Sequence, residues 1–196
     1  MRLELCGVAL SSNCLEKRIN MVIFRDFYVQ PMNAVYIEAV AIYLIWTLAM
    51  LFLRGRAQKT AGIIGALMSI ALIFVLTLYG RNSDNTHIVN LIPFSTFVNA
   101  KIQPELYRSM FMNVLLFMPF GLSFPFAFQD RIKHRLLVTI ALGFLLSVGV
   151  EAVQFFFNLG RCETDDVFMN TLGVMIGTTS YLLCRLIKNP NKKTKG

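Results

Sequence analysis

The run LLVTIALGFLLSVGVEAVQFFF, residues 136–157, decides the class of fold. It is long enough to cross a hydrocarbon core of about 30 Å, which takes about 20 apolar residues in a helix rising 1.5 Å per residue. Its one ionisable residue is Glu151, with Gln154 on the same helical face three positions later. An acid near mid-membrane costs on the order of 2.5 to 3.5 kcal/mol, less toward the interface. Glu151 therefore calls for a partner or a purpose.

Working outward, the stretch NLGRCETDDVFMNTLG, residues 158–173, packs one arginine and three acids directly after the apolar run. A further apolar run at 166–187 follows, and three more lie upstream at 33–53, 60–80 and 109–128. The third contains Pro119 and Pro125, which remove backbone donors and are expected to kink it. Composition agrees with this count: 56% of residues are hydrophobic, 15% are charged and the mean hydropathy is +0.58. The expected architecture is an all-α polytopic transmembrane bundle of about five spans. Residues 1–32 read as an interfacial segment or partly as an early start, residues 33–187 as the membrane domain, and residues 188–196 as a basic tail.

The formal charge of +8 comes from Lys and Arg at the ends of apolar runs. They form no basic face with interleaved aromatics, so nucleic acid is not an expected partner. Cys6, Cys14, Cys162 and Cys184 have neither CxxC nor zinc-like spacing, which leaves a metal or disulfide framework without support. The densest short basic segments are RGRAQK, QDRIKHR and the tail. The positive-inside rule puts these in the cytoplasm, with the N-terminus outside and the C-terminus inside a multi-pass cell-membrane protein.

That sidedness makes NLGRCETDD an outer loop and gathers polar residues near one level. Gly143, Ser147, Glu151 and Gln154 form one helical stripe, and Asp166, Asn170, Gly173 and Gly177 form another. Gly173 and Gly177 are a small-xxx-small pair, expected to bring the fourth and fifth spans together. Glu151 would then lie beside Asn170 and Asp166, with Arg161 folded over them and Asn113 at the same level. This gives one polar pocket at the outer face. A helix lock made by Glu151 and Arg161, with Asp165 or Asp166 as a helix cap, is the structural alternative.

Three runs carry a resemblance: NLIPFSTF at 90–97, NVLLFMPFGLSFPF at 113–126 and EAVQFFFNLGRCETDDVFMNTLGVMIG at 151–177. Together they resemble the VanZ-like membrane protein family. The third is the most specific, and the acidic loop departs from the family's usual mix at Glu163 and Thr164. The resemblance marks Asn90, Pro93, Phe94, Asn113, Pro119, Gly121, Glu151, Gln154, Arg161, Asp165, Asp166, Asn170 and Gly173. It implies a cell-envelope protein, either touching susceptibility to the glycopeptide teicoplanin or handling envelope lipids and precursors more generally. It implies no reaction.

The expected ligand-binding set is Asn90, Asn113, Glu151, Gln154, Arg161, Asp165, Asp166 and Asn170. It would receive the headgroup of a membrane lipid or lipid-linked envelope precursor, Arg161 gripping phosphate or carboxylate. Glu151, Asp165 and Asp166 are the candidate catalytic residues should a reaction occur, and no cofactor is indicated. A metal-assisted hydrolase or transferase would use Glu151, Asp165, Asp166 and Asn113 on Mg²⁺ or Ca²⁺. An accessory subunit docking on a partner membrane protein through its small-residue faces is a further alternative. Transport has little support without an inverted repeat.

Overall fold

The computed structural model describes residues 32–78, 89–103, 105–128, 134–159 and 162–188. The N-terminal segment before Met32, the end of the second span at residues 79–80, residues 129–133 of the basic loop, Arg161 and the tail beyond Lys188 lie outside these. The chain divides into two compact units, Met1–Ile37 and Glu38–Gly196, and the bundle belongs to the second.

Among the described residues six helices form: α1 (Met32–Phe52), α2 (Gly55–Leu78), α3 (Ser95–Ala100), α4 (Glu105–Ala127), α5 (Arg135–Phe156) and α6 (Thr164–Lys188). All but α3 are long and apolar enough to cross a membrane, so the expected five-span all-α bundle is found. Two-residue strands, β1 (Val89–Asn90) and β2 (Cys162–Glu163), are the one other regular feature among the described residues. Ile42, Ile45, Leu48 and Phe52 of α1 are exposed, as are Leu67 and Met68 of α2. Such a surface suits lipid, since a helix needs no outside partner for its backbone.

The tightest packing joins α4 to α6, which run parallel. A methyl group on Gly173 would stand 2.2 Å from the Val114 carbonyl oxygen, and one on Gly177 would stand 2.1 Å from that of Met118. Gly121 approaches the Val174 carbonyl as closely, at 2.3 Å. These backbones touch, which only glycine permits. The expectation for Gly173 and Gly177 is thereby corrected: they join the fifth span to the third, not to the fourth. The fourth span, α5, lies antiparallel on the other flank of α6, where Gly143 faces the Val174 side chain. Gly62 and Gly65 seat α2 antiparallel on α4, against Phe126, Ala127 and Ser123.

Helix α4 continues through Pro119 and Pro125. Pro125 cannot donate to the Gly121 carbonyl four residues earlier, and the Thr178 hydroxyl of α6 approaches that oxygen at 3.4 Å. Its stronger bond goes to Val174 O at 2.8 Å.

At the end where α1 finishes, Gly55 takes the left-handed conformation that the tight turn to α2 requires, with φ +57°. Gln58 Nε2 and Lys188 Nζ both donate to the Met50 carbonyl at 2.8 Å, and Lys188 also reaches the Leu53 carbonyl. A cation on orphan carbonyls at a helix C-terminus is favoured by hydrogen bonding and by the helix dipole. The Tyr43 hydroxyl donates to Ser180 at 2.7 Å, and Trp46 Nε1 donates to Ser123 at 2.9 Å. These bonds fix α1 against α6 and α4. Between them, Phe126 and Tyr181 pack edge to face with ring centroids 4.6 Å apart.

Candidate functional site

At the opposite end of the bundle α5 stops and α6 begins. Asn158 is left-handed at φ 52°, and the Leu159 N–H reaches back to Gln154 O at 2.9 Å. This is the Schellman pattern, with the non-glycine residue that best tolerates it. The next described residues, Cys162 and Glu163, pair in parallel with Val89 and Asn90. The acidic loop is thus tied to the stretch that opens NLIPFSTF.

Asp165 strengthens that tie. Its Oδ1 accepts the Phe94 N–H at 2.6 Å and its Oδ2 accepts the Thr96 N–H at 2.8 Å. The carboxylate therefore closes the start of α3 across the fold, although it belongs to α6. Phe94 sits at φ 63°, an uncommon conformation for a bulky residue, and the bond to its amide helps hold it there. Its ring meets Phe97 and Phe168 at 6.0 and 5.7 Å. Asn90 Nδ2 donates to Ser95 Oγ at 2.6 Å, and Thr96 Oγ1 donates to Glu163 Oε2 at 3.0 Å.

Deeper in the bundle, Glu151 is only 5% exposed and its Oε2 accepts the Glu163 N–H at 3.1 Å. Five residues separate it from the end of α5, about 7.5 Å along the axis. Gln154 is 2% exposed and donates through Nε2 to the Thr77 carbonyl of α2 at 3.1 Å. Asn170 is 3% exposed and donates to Ser147 Oγ of α5 at 2.8 Å. Gln154 Oε1 and Asn170 Oδ1 are buried with no hydrogen-bond partner among the described residues.

Of the expected set, Asn90, Glu151 and Asp165 are tied together through Glu163 and Thr96, while Gln154 bonds to Thr77 of α2 and Asn170 to Ser147, which lies one turn from Glu151 on the same stripe of α5. The buried aspartate is Asp165; Asp166, expected on one stripe with Asn170, is half-buried and has its own partner. Asn113 is half-buried, and its amide forms no hydrogen bond to another described residue. Arg161 lies outside the described residues. Glu163, Thr96 and the Thr77 carbonyl are the contributors absent from the expected set. The Ser-Thr pair after Pro93-Phe94 is the sequence trace of Thr96, because hydroxyl residues gather where a helix opens.

Asn90 and Asp165 secure the segment over the end of the bundle, while Glu151, Gln154 and Asn170 form the buried part. The cation reading needs Glu151, Asp165, Asp166 and Asn113 to converge. Among the described residues no group of three or more His, Cys, Asp or Glu side chains is placed to hold a metal ion, and Asp165 turns its oxygens to backbone amides.

No solved structure matches this chain. Among characterised proteins, Protein VanZ of Enterococcus faecium is 33% identical over 104 residues, covering 53% of this chain. The match spans 58% of that protein's length, less than two thirds. The VanZ/LLP1 family model matches residues 63–185, which run from α2 through the polar end of the bundle into α6. With the five apolar helices and the three sequence runs all falling within or beside that region, the chain belongs to the VanZ/LLP1 family.

Proposed function

We propose that this protein holds the polar headgroup of a lipid-linked envelope component at the outer face of the cell membrane, and in doing so lowers susceptibility to teicoplanin-like glycopeptides. The observation that carries the reading is Glu151, an ionisable side chain buried within an apolar helix and flanked by Gln154 and Asn170. Ionisable groups at such depth are expensive, and they mark ligand sites more often than scaffolding. Arg161, next to this cluster in sequence, would meet a phosphate or carboxylate on the same headgroup. Protein VanZ as a named relative supports the envelope setting.

The test is native mass spectrometry of the full-length protein purified in mild detergent. The wild type is expected to retain lipid that Glu151→Gln loses by about tenfold or more, a loss appropriate to removing one charged hydrogen-bonding partner. Expression of the wild type, and not of Glu151→Gln, is expected to raise the teicoplanin concentration needed to stop growth. Equal lipid retention by both proteins, with both in the membrane, would remove the headgroup reading.

Sidedness is checked separately. The exposed Arg54 and Arg56, with Arg135, Arg185 and Lys188, gather at the end opposite the polar cluster, and the positive-inside rule assigns that end to the cytoplasm. Cys184 is buried, so its thiol would be silent on either side. Single cysteines at the exposed positions Gln103 and Arg56, in a chain lacking its native cysteines, are the better probes. An impermeant thiol reagent should label Gln103→Cys on intact cells and Arg56→Cys only after permeabilisation. The reverse pattern would turn the cluster toward the cytoplasm.

A further inference from the structure

The stretch 91–103, between β1 and α4, carries more exposed apolar surface than a loop in water needs. Leu91, Ile92, Phe94, Val98 and Ile102 are all more than half exposed. Helical backbone runs from Ser95 on to Gln103, whose N–H donates to the Asn99 carbonyl at 2.9 Å. Three sides separate along it at the i, i+4 spacing. Thr96 and Ala100 are buried against the bundle, Asn99 and Gln103 are exposed and polar, and Phe94, Val98 and Ile102 are exposed and apolar. A short helix with a bundle side, a polar side and an apolar side fits a membrane interface, where water and acyl chains meet.

Depth and backbone bonding both point to what covers the apolar side. The Phe94 ring meets that of Phe168 at 5.7 Å, and Phe168 is four residues into α6, about 6 Å along its axis from the helix start. Phe168 is itself exposed, on a helix long and apolar enough to span, so the apolar side of the segment continues a lipid-facing surface. As for the backbone, Pro93 has no N–H to satisfy, and Phe94 and Thr96 donate to the buried Asp165. Ser95 donates to the Ile92 carbonyl at 3.3 Å, and Lys101 and Ile102 donate to the carbonyls of Val98 and Asn99. A loop in water leaves such donors to solvent, whereas backbone beside lipid must satisfy them within the protein. Lys101, exposed at the edge of the apolar side, has a stem long enough to carry its charge up to the headgroups.

We propose that the segment 91–103 lies in the membrane interface at this end of the bundle and inserts Phe94, Val98 and Ile102 among the acyl chains of the leaflet there. The partner of that side is the hydrocarbon of the bilayer itself. On the inner side Thr96 donates to Glu163, whose N–H meets Glu151, so one short element stands between the acyl chains and the buried acid. Insertion of this surface does not depend on the headgroup reading of Glu151.

The experiment places a nitroxide at one position at a time in the full-length protein, reconstituted in liposomes of phosphatidylethanolamine and phosphatidylglycerol. Cys6, Cys14 and Cys162 are changed to Ser, and Cys184 stays because its thiol is buried. Collisions are then compared between oxygen, which concentrates among acyl chains, and a nickel chelate confined to water. Labels at Val98→Cys and Ile102→Cys should give an oxygen-to-nickel ratio severalfold above those at Asn99→Cys and Gln103→Cys, and below that at Leu67→Cys, exposed halfway along α2. If the serine background does not fold, Val98→Trp and Asn99→Trp in the otherwise native chain read the same property. Acyl-brominated lipid should quench the fluorescence that the first adds to that of Trp46 and spare what the second adds. A nickel preference at all four positions would place the segment in water and overturn the proposal. Few collisions with either reagent at Val98→Cys and Ile102→Cys would mean that protein covers the apolar side, which overturns it as well. An equal oxygen preference at all four would sink the whole segment into hydrocarbon and overturn its interfacial placement.

Discussion

Asp165→Asn is expected to destabilise the protein almost as much as Asp165→Ala. The carboxylate accepts two backbone amides at once, those of Phe94 and Thr96, one on each oxygen. Asparagine offers one oxygen and turns its NH₂ donors toward the other amide, so one bond is lost and a donor faces a donor. Hydrogen bonds to a charged group contribute about 1.5–3 kcal/mol each, and the amides left behind are partly or fully buried. A loss of about 3 kcal/mol corresponds to a melting temperature lower by roughly 6–12 °C in a chain of this size. Phe94, freed from its left-handed conformation, should also become the first point of proteolysis in that region. The measurements are thermal unfolding in detergent and limited proteolysis followed by mass spectrometry. An Asp165→Asn protein as stable as the wild type but without lipid retention would move Asp165 from scaffold to site.

That outcome matters because the sequence presents Asp165, Asp166 and Glu163 as near equivalents within one acidic loop. Their roles diverge only when residues about 70 positions upstream return to meet them. Asp165 binds the start of α3, and Glu163 accepts from Thr96 while its own N–H caps Glu151. No local pattern encodes this, since it depends on the β1 and β2 pairing that brings Asn90 beside Glu163. The five spans, by contrast, were legible from length and hydropathy alone, because a bilayer leaves a helix as the natural state of an apolar run. Glu151 and Gln154 were legible for the same reason, as polar residues that stand out against such a background.

The small-residue stripes were half legible. Spacing shows that Gly173 and Gly177 share one face of α6, but it does not say which neighbour takes that face. Two neighbours flank this stripe: α4 receives the glycines, and α5 receives Asn170 and Val174 one step around the helix. Gly121 was the available clue, since a glycine within a proline-containing span marks a second backbone able to come close.

The largest effect is expected where two backbones meet. Gly177→Ala puts a methyl group 2.1 Å from the Met118 carbonyl oxygen and 2.8 Å from the Leu122 nitrogen, so α4 and α6 must separate along their length. Overpacking a core costs about 1–3 kcal/mol when side chains can yield, and backbone cannot yield in that way. Gly149 on α5 has nothing within 4 Å of an added methyl, so Gly149→Ala should be neutral or gain up to about 1 kcal/mol of helix propensity. A third glycine separates helix approach from side-chain crowding. At Gly143 the obstacle is the Val174 side chain, with Cγ2 at 2.5 Å and Cγ1 at 2.9 Å, and Val174→Ala removes both methyl groups, leaving Cβ at 3.1 Å. Double-mutant cycles should therefore show that Val174→Ala rescues Gly143→Ala, whereas Met118→Ala gives Gly177→Ala nothing, because trimming a side chain leaves its carbonyl in place. Rescue of Gly177→Ala by Met118→Ala would mean that α6 meets the Met118 side chain there and not the backbone of α4.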